Sequence, residues 1–258
     1  MITSKNNALA KEIRSLSDKK SRDEKNVYLI EGIKSVREAL SLNLNVKYVV
    51  LSEKAAEKYG NDFVKNGAEE CGNQQFEVVI FSEQAFKSVS DVVTPQGVLA
   101  VLVKPEAKRR NSKNCLLLDG VSDPANVGAI IRTAAASGFS DVFITPDCAD
   151  PYSPKAVRSS MCGIYRVSVL PVKREEIARA TGKKLVVADM DGENVFNSPV
   201  ENFTDGVCLA IGNEGNGISE EVKKEADITV SIPMENGMES LNAAVSASIL
   251  MYCIKSKN

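Results

Sequence analysis

The chain of 258 residues contains no histidine. That absence removes Ser-His-Asp and Cys-His hydrolases, imidazole-based zinc sites and any ordinary histidine general base. Six cysteines, at 71, 115, 148, 162, 208 and 253, form no CxxC pair. Neither a zinc ribbon nor a disulfide framework is indicated, and the thiols read as reduced, small apolar side chains. No apolar run is long enough to span a bilayer, and the first residues, MITSKNNALAKEIR, lack the apolar stretch of a secretory signal. A cytoplasmic location is the expectation. Any acid–base work falls to another residue type or to a cofactor.

What is present is ordinary for a globular protein: 43% hydrophobic and 26% charged residues. The length suits one large domain or two ordinary ones. The net charge of −2 conceals an asymmetry. Residues 1–113 carry 19 Lys and Arg against 15 Asp and Glu, a net of +4, and residues 114–258 carry 13 against 19, a net of −6. A mildly basic front half suits a polyanion, whereas the back half needs a focused basic spot to meet one.

Residues 104–113, KPEAKRRNSK, are polar, basic and without apolar periodicity, and read as a linker. Before it, over 1–103, a basic helix is expected at 5–20. Strands are expected at YLIEG (28–32), VKYVVLS (46–52), FEVVIFS (76–82) and GVLAVLV (97–103), with helices between them. This is a small α/β domain. Over 114–258, short and almost wholly apolar strands alternate with helices: CLLLDG (115–120), DVFIT (141–145), YRVSVL (165–170), KLVVADM (184–190), GVCLAIG (206–212) and ITVSIP (228–233). That pattern indicates a parallel sheet covered on both faces, with ligands bound at the carboxyl ends of its strands.

Three segments follow such strands. In LLLDGVSDPANVGAIIRTAAASGF (116–139), Asp123 and Pro124 start a helix that Gly138 ends. Arg132 lies four residues after Gly128 on one helix face, beside small residues. Its obvious target is a phosphate, and the plain alternative is a surface arginine on an Ala-rich helix. In CLAIGNEGNGIS (208–219) a strand runs into a glycine-rich turn and a helix capped by Ser219. It is neither a P-loop nor a dinucleotide fingerprint, and its glycines permit close approach of a flat ligand, with Glu214 as an acceptor. In ITVSIPMENGMESLNAAVSASILMY (228–252), Ser240, Leu241 and Asn242 open the last helix. Leu241, Val245, Ile249 and Tyr252 are expected as its core stripe, and the remaining small residues permit close packing within the domain or against a second copy. Helix capping would account for Ser240 but not for Asn242 as well.

Together, the spacing Asn126, Gly128, Arg132, then IGNEGNGIS, then IPM…ESLNAAVSASILMY closely resembles the SpoU/TrmH family of the SPOUT superfamily, which are S-adenosylmethionine-dependent RNA ribose 2′-O-methyltransferases. The resemblance covers about 114–258. It extends more weakly to 1–103, where YLIEGIKSVREAL is similar to the family's RNA-substrate-binding domain. It implies a trefoil-knotted α/β domain and a homodimer. Gly212, Ile232 and Leu241 match cofactor-site positions. Asn126, Arg132, Glu214, Ser240 and Asn242 match positions associated with catalysis and RNA positioning. The cofactor's sulfonium activates the methyl group, so no metal is needed. The ribose hydroxyl must be deprotonated and aligned. Arg132 is then either the base, assisted by an RNA phosphate, or an electrostatic orienter, with Asn126 and Glu214 holding it in place and Ser240 and Asn242 positioning the ribose.

Lys155, Arg158 and Arg166 form a basic cluster in an otherwise acidic domain, and Lys155 and Arg158 are expected to touch RNA phosphates. An N-terminal domain of this size favours ribosomal over transfer RNA as substrate. The competing class is a non-catalytic RNA-binding protein acting in ribosome assembly.

Overall fold

A computed structural model describes residues 1–69 and 76–257. Cys71 lies outside them. The chain divides into two compact units, one of Met1–Pro105 with Tyr152–Arg158, the other of Glu106–Pro151 with Ser159–Asn258.

The first unit runs α1 (Ala8–Ser15), α2 (Lys19–Lys25), β1 (Val27–Glu31), α3 (Ile33–Ser41), β2 (Val46–Ser52), α4 (Glu53–Glu69), β3 (Glu77–Phe81), α5 (Glu83–Lys87) and β4 (Val98–Val103). Its four strands are ordered β1-β4-β2-β3, with β4 antiparallel to both neighbours and β2 parallel to β3. Ile13, Leu16, Leu29, Val50, Phe86 and Leu99 are central to its core. The single basic helix expected at 5–20 is two. Asp18 accepts from the Ser21 N–H to start α2, and buried Arg22 donates to the carbonyls of Leu16 and Ser17, which the break leaves without helical partners.

The second unit contains β5 (Cys115–Asp119), α6 (Pro124–Ser137), β6 (Asp141–Ile144), the end of α7 (Pro154–Ser160), β7 (Ser168–Pro171), α8 (Ile177–Thr181), β8 (Lys184–Asn194), β9 (Val207–Gly212), α9 (Glu220–Lys224), β10 (Ile228–Ser231) and α10 (Ala243–Ser256). Its six strands are all parallel, ordered β10-β8-β9-β5-β6-β7. The apolar runs are explained by burial on both faces. Cys115, Leu117, Cys208 and Ala210 pack with Ile177 and Val222, from α8 and α9. By strand alternation, Leu116 and Leu118 point to the opposite face. None of the described helices is long and apolar enough to cross a membrane.

Three features go beyond the sequence expectations. The basic stretch 104–113 is held by contacts along its length. Lys104 pairs with Asp23 at 2.6 Å in the first unit, while in the second Arg109 donates to the Ala180 and Thr181 carbonyls at the end of α8 and buried Asp141 accepts from the backbone N–H groups of Arg110 and Ser112. The last helix turns three of the four residues of its expected core stripe outward: Leu241 before it, and Val245 and Tyr252 on it, are 37%, 46% and 49% exposed, while Ile249 is half-buried. Ala243, Ala244, Ala247, Leu250, Met251 and Ile254 are buried instead. This helix is apolar on two faces, and the smaller one fits against α6, where Thr133 and Ser248 hydroxyls meet at 2.9 Å. Finally, the β8–β10 register jumps from Val187–Thr229 to Glu193–Val230, so residues 188–192 loop out of the pairing.

Candidate active site

Parallel strands bring all their carboxyl ends to one edge, so loops distant in sequence meet there. After β5, Asp123 accepts from the Ala125 N–H at 2.9 Å, Pro124 occupies the first helical turn, and Gly138 closes α6 with φ +91°. After β9 the chain turns sharply. Asn213 and Gly217 exchange backbone hydrogen bonds of 2.9 and 3.0 Å, and the Asn213 side-chain oxygen accepts from the Gly215 and Asn216 N–H groups. An added Cβ on Gly212 would stand 2.2 Å from the Gly217 carbonyl carbon, so only glycine fits this approach. The Asn213 side-chain nitrogen donates to the Gly120 carbonyl at 2.8 Å, joining the two exits.

One polar relay links the three segments. The Glu214 carboxylate accepts from the Ser122 N–H (3.1 Å), the Ser122 hydroxyl (3.0 Å), the Asp123 N–H (3.2 Å) and the Asn126 side-chain N–H (2.9 Å). The Asn126 oxygen accepts in turn from the Asn242 side chain at 3.0 Å. The Asn242 oxygen accepts from the Ala244 and Val245 N–H groups, so Asn242, not Ser240, caps α10. Burial pushes the Glu214 carboxyl up. The hydrogen bonds from Asn126 and from the backbone of Glu214, Ser122 and Asp123 outweigh it and hold the carboxyl at about 2. Glu214 is therefore a fixed anion at neutral pH rather than a proton shuttle.

Arg132 stands outside this relay. It was expected to be held by Asn126 and Glu214, but those two hold each other. Six residues along α6 separate Asn126 from Arg132, a rise of about 9 Å and a turn of about 120° between their directions. Arg132 is exposed, and its guanidinium has no hydrogen bond or ion pair among the described residues. Its backbone is tightly backed: a Cβ on Gly163 would lie 2.8 Å from the Arg132 Cα.

Beside the relay lies a cavity of about 710 Å³, a size typical of small-molecule sites. Gly212, Ile232 and Leu241 line it, and so do Glu214, Ser240 and Asn242. The looped-out residues Ala188, Asp189, Met190 and Asp191 make a further wall that the sequence reading missed, and Asp189 pairs with Lys223 at 2.7 Å. Their only signal was the change from apolar to polar residues along KLVVADMDGEN. Backbone at a glycine-rich turn and apolar side chains, with polar groups among them, fit a flat heterocyclic ligand. Lys155 and Arg158 are exposed on α7, in the stretch belonging to the first unit, whereas Arg166 lies in the second and donates to the Cys162 carbonyl at 3.4 Å.

Residues 113–252 match the model of the SpoU rRNA Methylase family, and residues 7–100 match an MRM3-like substrate binding domain. The chain is 32% identical over 259 residues to the 23S rRNA (guanosine(2553)-2'-O)-methyltransferase RlmP of Bacillus subtilis, covering 98% of both. A solved structure of AdoMet bound rRNA methyltransferase from Sinorhizobium meliloti is similar with a TM-score of 0.86 at 27% identity, covering 99% of this chain and 97% of that one. The SpoU methyltransferase AviRb from Streptomyces viridochromogenes, in complex with the cofactor AdoMet, is similar with a TM-score of 0.85 at 26% identity, covering 98% of each.

Proposed function

The chain belongs to the SpoU rRNA methylase family, and we propose that it methylates a ribose 2′-oxygen in ribosomal RNA, using S-adenosylmethionine. The observation that carries this reading is the convergence of Glu214, Asn126 and Asn242 from three distant segments beside a cavity of cofactor size.

Gly212, Ile232 and Leu241 would hold the cofactor, within a wall that the rest of the 211–217 turn completes. When bound, the cofactor supplies an electrophilic methyl group on a sulfonium. Glu214 does not exchange protons at neutral pH. It locks the Ser122–Asn126 stretch and, through Asn126, the start of α10. Ser240 and Asn242, at the cavity wall, position the ribose. A guanidinium is a donor without an acceptor, so Arg132 orients the ribose hydroxyl and binds the adjacent phosphate, and the hydroxyl proton passes to solvent water as the methyl group moves from sulfur to oxygen. Because no carboxylate pairs with it among the described residues, the full charge of Arg132 is available to RNA.

Lys155 and Arg158 add phosphate contacts, and the basic first unit supplies the substrate-recognition surface. The outward face of Val245 and Tyr252 is the dimer contact in this reading, because large apolar side chains exposed along one helix face mark association surfaces. A trefoil knot and a cytoplasmic location are further parts of the same proposal.

The test is to map 2′-O-methyl marks in ribosomal RNA from cells with and without the protein, and to restore the missing mark with purified protein and labelled S-adenosylmethionine. One ribosomal position that loses and regains its mark is expected. Tight RNA binding with no mark lost would leave a non-catalytic assembly protein.

A further inference from the structure

The second unit contains an ion cluster centred on Arg174, a residue outside the three segments. Arg174, in the turn before α8, donates from Nε to Asp119 Oδ1 at 2.7 Å and to the Ser219 hydroxyl at 3.0 Å. Its Nη2 meets Asp119 Oδ1 at 2.6 Å and Asp147 Oδ2 at 2.7 Å. The Asp119 side chain is fully buried, and its second oxygen accepts from the Ser219 N–H at 2.7 Å. The Thr145 hydroxyl donates to Asp147 at 2.6 Å and accepts from the Gly120 N–H at 2.9 Å. One guanidinium thus joins the exits of β5 and β6 to the start of α9. It also explains why Ser219, at the cap position of α9, makes no capping bond: its hydroxyl faces Arg174.

The consequence reaches the site. The turn carrying Glu214 is tied to the β5 exit at both ends, through Asn213 to the Gly120 carbonyl and through Ser219 to Asp119. Arg174 holds the second tie. Two and three residues after Gly120, Ser122 and Asp123 present their N–H groups to Glu214. We propose that Arg174 is a positioning residue for methyl transfer: by clamping Asp119 to Ser219 it sets where the Glu214 carboxylate meets Asn126. This rests on the function proposed above. Arg174 does not line the cavity, so it acts through the turn rather than on cofactor or RNA. A lysine keeps the charge but, with a single nitrogen, cannot reproduce the planar fork shared among Asp119, Asp147 and Ser219.

The test is a double-mutant cycle of Arg174→Met and Glu214→Gln, with Arg174→Lys in the same cycle should the methionine variant fail to fold. Loss of Arg174 is expected to lower kcat about ten- to a hundredfold, the scale of a small misplacement at a reacting site. The KM for RNA should stay near the wild-type value. The double variant should be no slower than Glu214→Gln alone by more than about twofold, the non-additivity of residues that act through one another. The side-chain amide resonances of Asn126 and Asn242 should shift in the Arg174 variants without RNA present. Additive losses in the cycle, or unmoved amide resonances, overturn the positioning role. Were the wild type itself to transfer no methyl group to ribosomal RNA, the proposed function would fall, and the amide resonances would still decide the positioning.

Discussion

In the first unit Glu83 accepts from the Lys54 N–H at 3.0 Å in the first turn of α4, and Glu53 accepts from the Glu83 N–H at 3.3 Å at the start of α5. Two neighbouring helices cap each other, and the exits of parallel β2 and β3 are joined. In the second unit Glu214 takes the N–H groups of Ser122 and Asp123 ahead of α6 in much the same way. There the chain of bonds continues, through the Asn126 side chain to Asn242, along the wall of a cavity. The same device, a carboxylate at a helix start, finishes a fold in one unit and begins a site in the other. What differs is whether a side-chain amide remains to carry the contact onward, and whether an open cavity lies beside it.

That contrast can be broken most directly at Arg132, whose guanidinium has no partner among the described residues. Arg132→Ala should lower methyl transfer about 10²–10³-fold, as removal of one transition-state donor does, with cofactor affinity by calorimetry nearly unchanged. Turnover close to wild type would remove Arg132 from the site. Gly212→Ala comes next: its Cβ would collide with the Gly217 backbone. Cofactor affinity should fall more than about tenfold, since interior overpacking of this kind costs about 1–3 kcal/mol. Hydrogen exchange of the first unit's sheet should not change, and faster exchange there would show that the two units do not separate as described.

A smaller effect is expected on α7. Replacing Lys155 and Arg158 with alanine should reduce the slope of log affinity for RNA against log salt by about 1.4–1.8, from about 0.7–0.9 per phosphate contact. An unchanged slope would take both residues off the RNA surface. The smallest effect is thermodynamic. Glu214 sits at about 2 in the folded chain against an ordinary 4.5, so its contribution to stability is complete above about 4.5 and is lost as pH falls towards 2. Glu214→Gln should therefore flatten the loss of stability over that interval, followed by denaturant unfolding at stepped pH. Parallel curves for the two proteins would mean that the carboxylate is not held as the relay implies.

Much of this was legible in the residues. The bounds of α6 follow from Asp123, Pro124 and Gly138, because caps and proline act within one turn of chain. All six second-unit strands were visible as apolar runs, although β8 extends four residues past its expected end, to Asn194. The face of α10 was not legible. Val245 and Tyr252 repeat at helical spacing just as Ala247, Leu250 and Ile254 do, and periodicity cannot choose between two apolar stripes. Nor could spacing distinguish which of Ser240 and Asn242 caps the helix, since either residue type accepts the bond.

By itself the sequence determined the element types, the parallel class of the second sheet and the three motifs that mark the family, because each depends on residues close together in the chain. Only the tertiary structure decided that Glu214 binds Asn126 rather than Arg132, that residues 188–191 leave the β8–β10 pairing to wall the cavity, and that Arg174 joins three loop exits. These depend on strand register and on which side chains meet across 27 to 88 residues of chain, where many local conformations are nearly equal and packing alone selects one.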